Sequence, residues 1–487
     1  MMKVKSVKYN FIMNIILTAS TFIFPLITSR YISPILLPDG VGKVNLATSI
    51  AQYFTMVAML GVPTYGIRAC AQVRDDRGKL SRTVQEILLL NLLISILVYV
   101  VYFIVVWNVP RMHEDSTLYW IMSTTIIFNV IGVEWLYKGL EQYSYITIRS
   151  IIFKVIALVL MFLFVKTRGD YVIYGAISIV AGVGSNVLNF INLRKYVDPV
   201  PLKECRPKRH IKEVAVFFLM SAATTIYTNL DTVMLGFMQN DAQTGYYTTA
   251  VKVKSLLVSF VTALSAVLLP RVSYYIEQGM KEEFRKVSRK ALNFVTMLAL
   301  PVTVYFILYA RESILFFSSK EFEASVLPMQ IIMPTVLLIG LTNVLGIQIL
   351  VPLGKEKMVF YSVLAGGIAD FVLNAIFIPG MAAAGAALGT LAAETVVLII
   401  QVIVLRKHIR DLVSEIRIVR LVIAAAAASF SCLWVKVLAL SSFWALVLSV
   451  CIFMAVYALF LLILREPFFR ELLNSVLKGM LKRRHEK

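Results

Sequence analysis

Charge is scarce in this sequence. Only 16% of its 487 residues are Asp, Glu, Lys or Arg while 59% are hydrophobic, and the mean hydropathy is +0.80. A water-facing globular surface cannot be assembled from that supply. Carboxylates are scarcer than cations, 28 Asp and Glu against 48 Lys and Arg. The four cysteines, Cys70, Cys205, Cys432 and Cys451, lie far apart and lack the paired spacing of metal or redox sites. Neither a disulfide nor a metal centre is expected. His113-Glu114-Asp115 does not have the spacing of a zinc-binding helix, and no glycine-rich loop carries the lysine that cradles nucleotide phosphates, so direct drive by ATP is excluded. No catalytic residue and no cofactor is indicated.

Apolar runs are abundant. Stretches near or above the ~20 residues needed to cross a bilayer recur along almost the whole length, and in hydrocarbon an open sheet edge would leave its backbone unsatisfied. The expected fold class is all-α integral membrane with about fourteen transmembrane helices, at 9–32, 42–66, 83–107, 117–138, 148–165, 171–193, 214–237, 246–270, 289–308, 325–352, 358–378, 384–405, 419–438 and 444–464. The first run follows Lys3, Lys5 and Lys8, is longer than a signal-peptide core and has no small-residue cleavage site after it. It is expected to be retained.

Basic residues are shared unevenly between alternate loops: about 37 fall on the N-terminal side and about 8 on the other. Both termini are therefore expected on the cytoplasmic side of the membrane. The formal charge of +20 reads as topology and as affinity for anionic lipid headgroups, at ~1 kcal/mol per surface-proximal cation, rather than as nucleic-acid binding. No loop on the outer side exceeds roughly fifteen residues, too few for a folded extracytoplasmic domain.

The longest polar connection runs from Arg194 to Glu213 and is rich in Lys, Arg and Pro. It divides the chain into a six-helix lobe (1–194), a basic cytoplasmic linker (195–213), a second six-helix lobe (214–408), two additional helices (409–466) and an amphipathic cytoplasmic tail (467–487). Tyr174-Gly175-Ala176-Ile177-Ser178, entering the sixth span, weakly resembles Ala384-Gly385-Ala386-Ala387-Leu388, entering the twelfth, and Gly139-Leu140-Glu141 loosely matches Leu353-Gly354-Lys355; chance likeness of short Gly/Ala-rich helices is the alternative. Repeats of an even number of spans are parallel, with a pseudo-two-fold axis along the membrane normal and a substrate site between them. In the tail, Phe468, Phe469, Leu472, Leu473, Val476, Leu477, Met480 and Leu481 recur at helical spacing, with Lys478, Lys482, Arg483 and Arg484 opposite or beyond, the pattern of a helix lying on the inner leaflet. The segment from Arg271 to Lys290 is a weaker case of the same pattern.

Three strings carry a family resemblance. YISPILLPDGVGKVNLATSI from Tyr31, LGVPTYGIRACAQVRDD ending at Asp76, and GVEWLYKGLEQYSYITIRSIIFK from Gly132 resemble the polysaccharide transporter family, the O-antigen type flippases of the multidrug, oligosaccharidyl-lipid and polysaccharide exporter superfamily. The resemblance implies two six-helix bundles around a central cavity with two further helices appended. It also implies movement of undecaprenyl-pyrophosphate-linked sugar units from the inner to the outer leaflet by alternating access, alongside a polysaccharide polymerase and other pathway proteins. The chain departs from the family at Pro34, where many members carry Arg, and at Ala69, where an acidic residue is usual. Arg30 precedes Pro34 by four residues and would share its helix face.

An ionisable side chain within a span costs at least a few kcal/mol and so asks for a reason. A pyrophosphate headgroup would need fixed cations in place of the water it loses. Arg30, Lys154, Lys252 and Lys254 are the candidates, with Lys43 and Arg149 at cavity mouths. Snorkelling to headgroups is the alternative for Arg30 and Lys43. Lys252 and Lys254, two positions apart, are expected to divide between lining the cavity and snorkelling or pairing. Glu134, Asp231, Asp370 and Glu394 could accept a coupling proton or sodium ion or neutralise neighbouring cations, with Asp370 the best coupling candidate. Asn14, Gln52, Asn129, Asn229, Asn343 and Gln348 would offer hydrogen bonds to sugar hydroxyls or to neighbouring helices. Two other readings remain open: a cation-coupled multidrug exporter, which would want an acidic residue in the first span, and a membrane polymerase or glycosyltransferase, which would want a large or carboxylate-rich outer loop.

Overall fold

The computed structural model describes residues 7–471, 473 and 474. Most of the expected amphipathic tail, including Lys478, Lys482, Arg483 and Arg484, lies outside the described residues, as do Lys3 and Lys5. All regular structure among the described residues is helical. The chain packs as two compact units, residues 1–248 and 249–487.

The first unit opens with α1 (Val7–Met59). Its 53 residues would reach ~80 Å if straight, more than twice the ~30 Å hydrocarbon thickness, so one crossing cannot contain it. The backbone breaks at Leu37 (φ 59, ψ 176), between Pro34 and Pro38, where proline cannot donate to the helical ladder. A second break at Leu60 and Gly61, both with positive φ, leads into α2 (Val62–Val73). A Cβ on Gly61 would lie 2.4 Å from the Phe218 nitrogen, so the break also lets a neighbouring helix backbone approach. Asp76 caps α3 (Arg77–Asn108), accepting the Lys79 N–H at 3.0 Å; that bond, aided by the Lys79 side chain, holds the carboxyl below its ordinary range. The face of α3 bearing Leu93, Ile96, Leu97, Val100, Ile104 and Trp107 is exposed, an apolar surface made for lipid.

Then follow α4 (Pro110–Glu114), α5 (Ser116–Gly132), α6 (Glu134–Gly139) and α7 (Tyr143–Phe164). The left-handed Val133 (φ 37) separates α5 from α6. A π segment, Val180–Gly184, separates α8 (Tyr171–Ile179) from α9 (Asn186–Asn192). The unit is completed by α10 (Ile211–Met238) and the start of α11 (Asp241–Glu277).

The linker expected between two lobes belongs to this unit, because it is sewn onto α3. Arg77 binds Asp198 through two bonds of 2.7 Å, and Gln85 donates to the Asp198 carbonyl and accepts the Val200 N–H. The fully buried Glu86 carboxylate accepts from Arg82, from the Arg206 backbone N–H and from Arg209, and bonds His210 at 2.9 Å. Tyr65 of α2 closes the chain with a 2.5 Å bond to the other His210 nitrogen.

The second unit continues with α12 (Lys281–Leu308), α13 (Ala310–Phe317), α14 (Val326–Ile332), α15 (Pro334–Asn343), α16 (Glu356–Val404), α17 (Arg406–Leu412), α18 (Ile418–Cys432) and α19 (Ser442–Ile463). α16 repeats the device of α1: it has 49 residues and breaks at Ala382 (φ 47, ψ −124). Its two halves meet closely at Gly385, where a Cβ would sit 2.5 Å from the Phe377 carbonyl oxygen. Ala424, Ala425 and Ala428 of α18 are buried with Tyr305, Tyr309, Phe453 and Tyr457, small residues setting helix against helix as packing in lipid requires.

Among the described residues, ten helices are long and apolar enough to cross a membrane, or eleven if the pair Lys320–Ile332 and Pro334–Leu350, bent by 42°, is one span. That count is below the fourteen expected chiefly because α1 and α16 are double-length helices.

Candidate functional site

At the end of the first unit where α1 breaks, the chain seals itself with glycine. A Cβ on Gly42 would lie 1.8 Å from the Asp241 carbonyl oxygen, and one on Gly245 2.1 Å from the Pro38 carbonyl oxygen. These are backbone-to-backbone contacts that no side chain could enter. Gly236 likewise makes room for Leu46. Polar bonds surround the seal: Asn45 donates to Thr248 Oγ1 at 2.8 Å, and Arg111 reaches Asp241 at 2.7 Å and the Gln239 carbonyl at 2.9 Å. Lys43, expected at a cavity mouth, pairs with Asp115 at 2.8 Å and lies over the Tyr171 ring, so its charge is already engaged. Asp115 also accepts the Tyr171 hydroxyl. Further along α10, Asp231 is buried and accepts the Tyr247 hydroxyl.

Away from this seal the first unit holds a second charged group. Glu134 begins α6 immediately after the Val133 break. Its carboxylate meets Lys138 at 2.8 Å and Arg149 at 3.3 Å. Arg149 is buried, its side chain 3% exposed, rather than standing at a mouth, and it donates to Ser185 and Asn186 just past the π segment. Sequence reasoning found Glu134 and Arg149 separately but missed Lys138. The signal that could have found it is the i,i+4 spacing of Glu134 and Lys138. Lys154 donates to Ser20 at 2.8 Å, bringing the fifth expected span against the first. Arg30 is exposed on α1. Asn129 and Asn229 bond carbonyls of their own helices, Thr125 and Thr225, and so contribute less polarity than their composition suggested.

In the second unit, Asp370 is 1% exposed and accepts from Asn374. Gly389, on the other half of α16, opens space for both, since a Cβ there would lie 2.1 Å from Asn374 Oδ1 and 3.1 Å from Asp370 Oδ1. Glu394 is buried on the same half-helix. Lys252 and Lys254 are both half-buried; the division of roles expected of them is not visible in their exposure.

The model of the family described as polysaccharide biosynthesis protein matches residues 7–276, more than half of the chain. The chain belongs to that family. A second family model, MatE, matches residues 217–376. Among relatives, a protein of Escherichia coli (strain K12) that bears the name O-antigen transporter is 21% identical over 407 residues, covering 83% of this chain and 97% of that protein. A Haloferax volcanii protein named as flippase AglR is 27% identical over 190 residues, 38% of this chain and 39% of that one. Of solved structures, the lipid II flippase MurJ in an inward closed conformation superposes with a TM-score of 0.75, covering 95% of this chain and all of that one at 16% identity. An inward-facing multidrug resistance MATE family transporter of the MOP superfamily does so at 0.59, covering 77% and 94%, also at 16% identity. At such identities the likeness is one of fold. This family member is thus a multi-pass membrane protein with the transporter fold of that superfamily, as the strings at Tyr31, Leu60 and Gly132 implied.

Proposed function

We propose that the chain is a flippase that carries lipid-linked oligosaccharide units across the cytoplasmic membrane of a bacterium, with undecaprenyl pyrophosphate as the anchor and alternating access as the mechanism. The observation that carries this reading is the family match, joined to a nearly full-length relative named for O-antigen transport. The physical problem agrees with it: a many-hydroxyl, charged headgroup would cost tens of kcal/mol to desolvate without partners, whereas its lipid tail loses nothing by staying in the bilayer. The protein therefore supplies a polar path open sideways to lipid. Two six-helix lobes rock about a pseudo-axis, and the Gly42–Gly245 seal closes the outer side while the headgroup site faces inward. Arg30, Lys154, Lys252 and Lys254 act on the pyrophosphate, and Asp370 leads Asp231 and Glu394 as the group that takes a coupling ion. Anionic inner-leaflet lipids hold the basic loops, and a polysaccharide polymerase receives the product. The chain acts as a carrier and not as an enzyme. The multidrug-exporter reading lacks the acidic residue it would want in 9–32.

Reconstitution tests the reading. Purified protein in vesicles carrying a prenyl-pyrophosphoryl sugar should move it between leaflets, and the Arg30, Lys154, Lys252 and Lys254 to Gln variants should each be slower at equal protein level. Translocation no faster than in empty vesicles would overturn the function; four variants of normal rate would overturn the cation assignment. Orientation is checked with native Cys205: in intact cells it should escape an impermeant thiol reagent and react only after permeabilisation, and labelling from outside would invert the topology.

A further inference from the structure

We infer that Glu134, Lys138 and Arg149 form a phosphate-binding subsite in which Glu134 is a resident counterion that a phosphoryl group displaces. The inference rests on the flippase reading and gives its headgroup a place in the first unit.

The argument begins with charge. Two cations share one carboxylate, Lys138 on one oxygen at 2.8 Å and Arg149 on the other at 3.3 Å. The group therefore keeps one positive charge in excess, inside a segment expected to lie in lipid, where an uncompensated charge is costly. An arrangement built only for stability would bring the second carboxylate or close the existing pair bidentately. Here the arginine is held by other means. Its Nη1 donates to Ser185 Oγ at 2.6 Å and to Asn186 Oδ1 at 2.9 Å, and Asn186 is itself fixed to the Phe128 carbonyl at 3.0 Å. The guanidinium is thus oriented without Glu134. Its buried Nε has no hydrogen-bond partner among the described residues, so the donor fork is under-used.

The carboxylate is the part that can leave. At 3.3 Å its bond to Arg149 is longer than the ~2.7–2.9 Å of a good charge-assisted bond. Glu134 follows a left-handed Val133, so its backbone is not locked into the preceding helix. The exposures are graded in the same sense: Glu134 and Lys138 side chains are 37% and 33% exposed, Arg149 only 3%. An incoming anion meets Lys138 first and finds the oriented guanidinium behind it. The π segment before Ser185 fits this use, since such bulges cluster at functional sites. A phosphoryl oxygen bearing its own charge cannot share the position with Glu134. It takes over the two cations as the carboxylate swings out, and the returning carboxylate helps to eject it. The ligand class is a phosphate or pyrophosphate ester, for which Arg presents a fork and Lys a point charge.

Full-length wild type, Glu134→Gln, Glu134→Asp and Arg149→Gln should be compared for binding of undecaprenyl pyrophosphate in detergent, with inorganic pyrophosphate as competitor and phosphatidylglycerol as a control for headgroups in general. Removing the competing charge in Glu134→Gln should tighten binding about tenfold and Arg149→Gln should weaken it about tenfold, the size of one charge-assisted contact. Glu134→Asp, which keeps the charge, should stay near wild type, and Glu134→Gln should flip more slowly because release is slowed. Competition by inorganic pyrophosphate but not by phosphatidylglycerol would assign the site to the substrate's phosphates, and the reverse would assign it to bulk lipid and overturn the proposal. A purely structural ion pair would show itself as lower thermal stability of Glu134→Gln with unchanged affinity. That result, with wild-type binding intact, sinks the subsite and leaves the flippase standing; failure of wild type to bind the prenyl pyrophosphate at all sinks both.

Discussion

Gly42→Ala should abolish glycan export while leaving the protein in the membrane at its normal level. The methyl group would be placed 1.8 Å from the Asp241 carbonyl oxygen and within 3.0 Å of the Gly245 nitrogen. Both are backbone atoms, so no rotamer change can relieve the overlap, and overpacking of this kind typically costs ~1–3 kcal/mol or more even where side chains can adjust. The helices would have to part at the seal. A carrier that cannot close one side cannot complete its cycle, so the loss should far exceed what the stability cost alone would produce. Gly40→Ala is the matched control: its Cβ would meet only side-chain atoms, Leu36 Cβ at 3.1 Å and Tyr171 Cβ at 3.6 Å, and most export should survive. Surface glycan in a strain dependent on this protein, read against its membrane level, measures both. Normal export by Gly42→Ala would show that the contact is dispensable.

The same seal can be closed covalently. Asn45 and Thr248 already touch through Nδ2 and Oγ1 at 2.8 Å, which sets the two helices side by side at the seal. With the four native cysteines replaced, Asn45→Cys with Thr248→Cys should cross-link on oxidation, stop transport completely and recover on reduction. Each single substitution should remain active. Complete cross-linking with an undiminished rate would mean that the two helices do not separate here during transport.

Much of this was readable in the chain. The scarcity of charge dictated a lipid environment, apolar length dictated helices, and the strings at Tyr31 and Gly132 carried the family. The separate apolar runs at 9–32 and 42–66 lie in α1 on either side of a break at Leu37, between Pro34 and Pro38. Three features were not readable. Gly42 and Gly245 are ordinary glycines until the backbone that each faces is known, and those partners, Asp241 and Pro38, are some two hundred residues away in sequence. The linker was legible only as a basic polar connection, because a run of Lys, Arg and Pro has the same composition whether it floats or is held by one buried carboxylate. Lys138 sits beside Glu134 by helix geometry, but the carboxylate's second partner, Arg149, comes from another helix that the local spacing does not reveal.

The buried Glu86 has a bearing on how the chain is made. Its partners in the linker lie 120 and 124 residues further on, at Arg206 and His210, and with Arg209 they emerge from the ribosome on the order of ten seconds after it. Until then Arg82 is the one cation of that network already synthesised. A carboxylate so placed costs several kcal/mol without its full set of partners. The inserted helices of 1–194 are therefore an unfinished object, and the linker is the closing piece that arrives late, locking the spans before it and setting the start of α10 in one act. Synthesis in order along the chain thereby becomes assembly in order, with the polar strap serving as the checkpoint between the helices already in the membrane and those still to come.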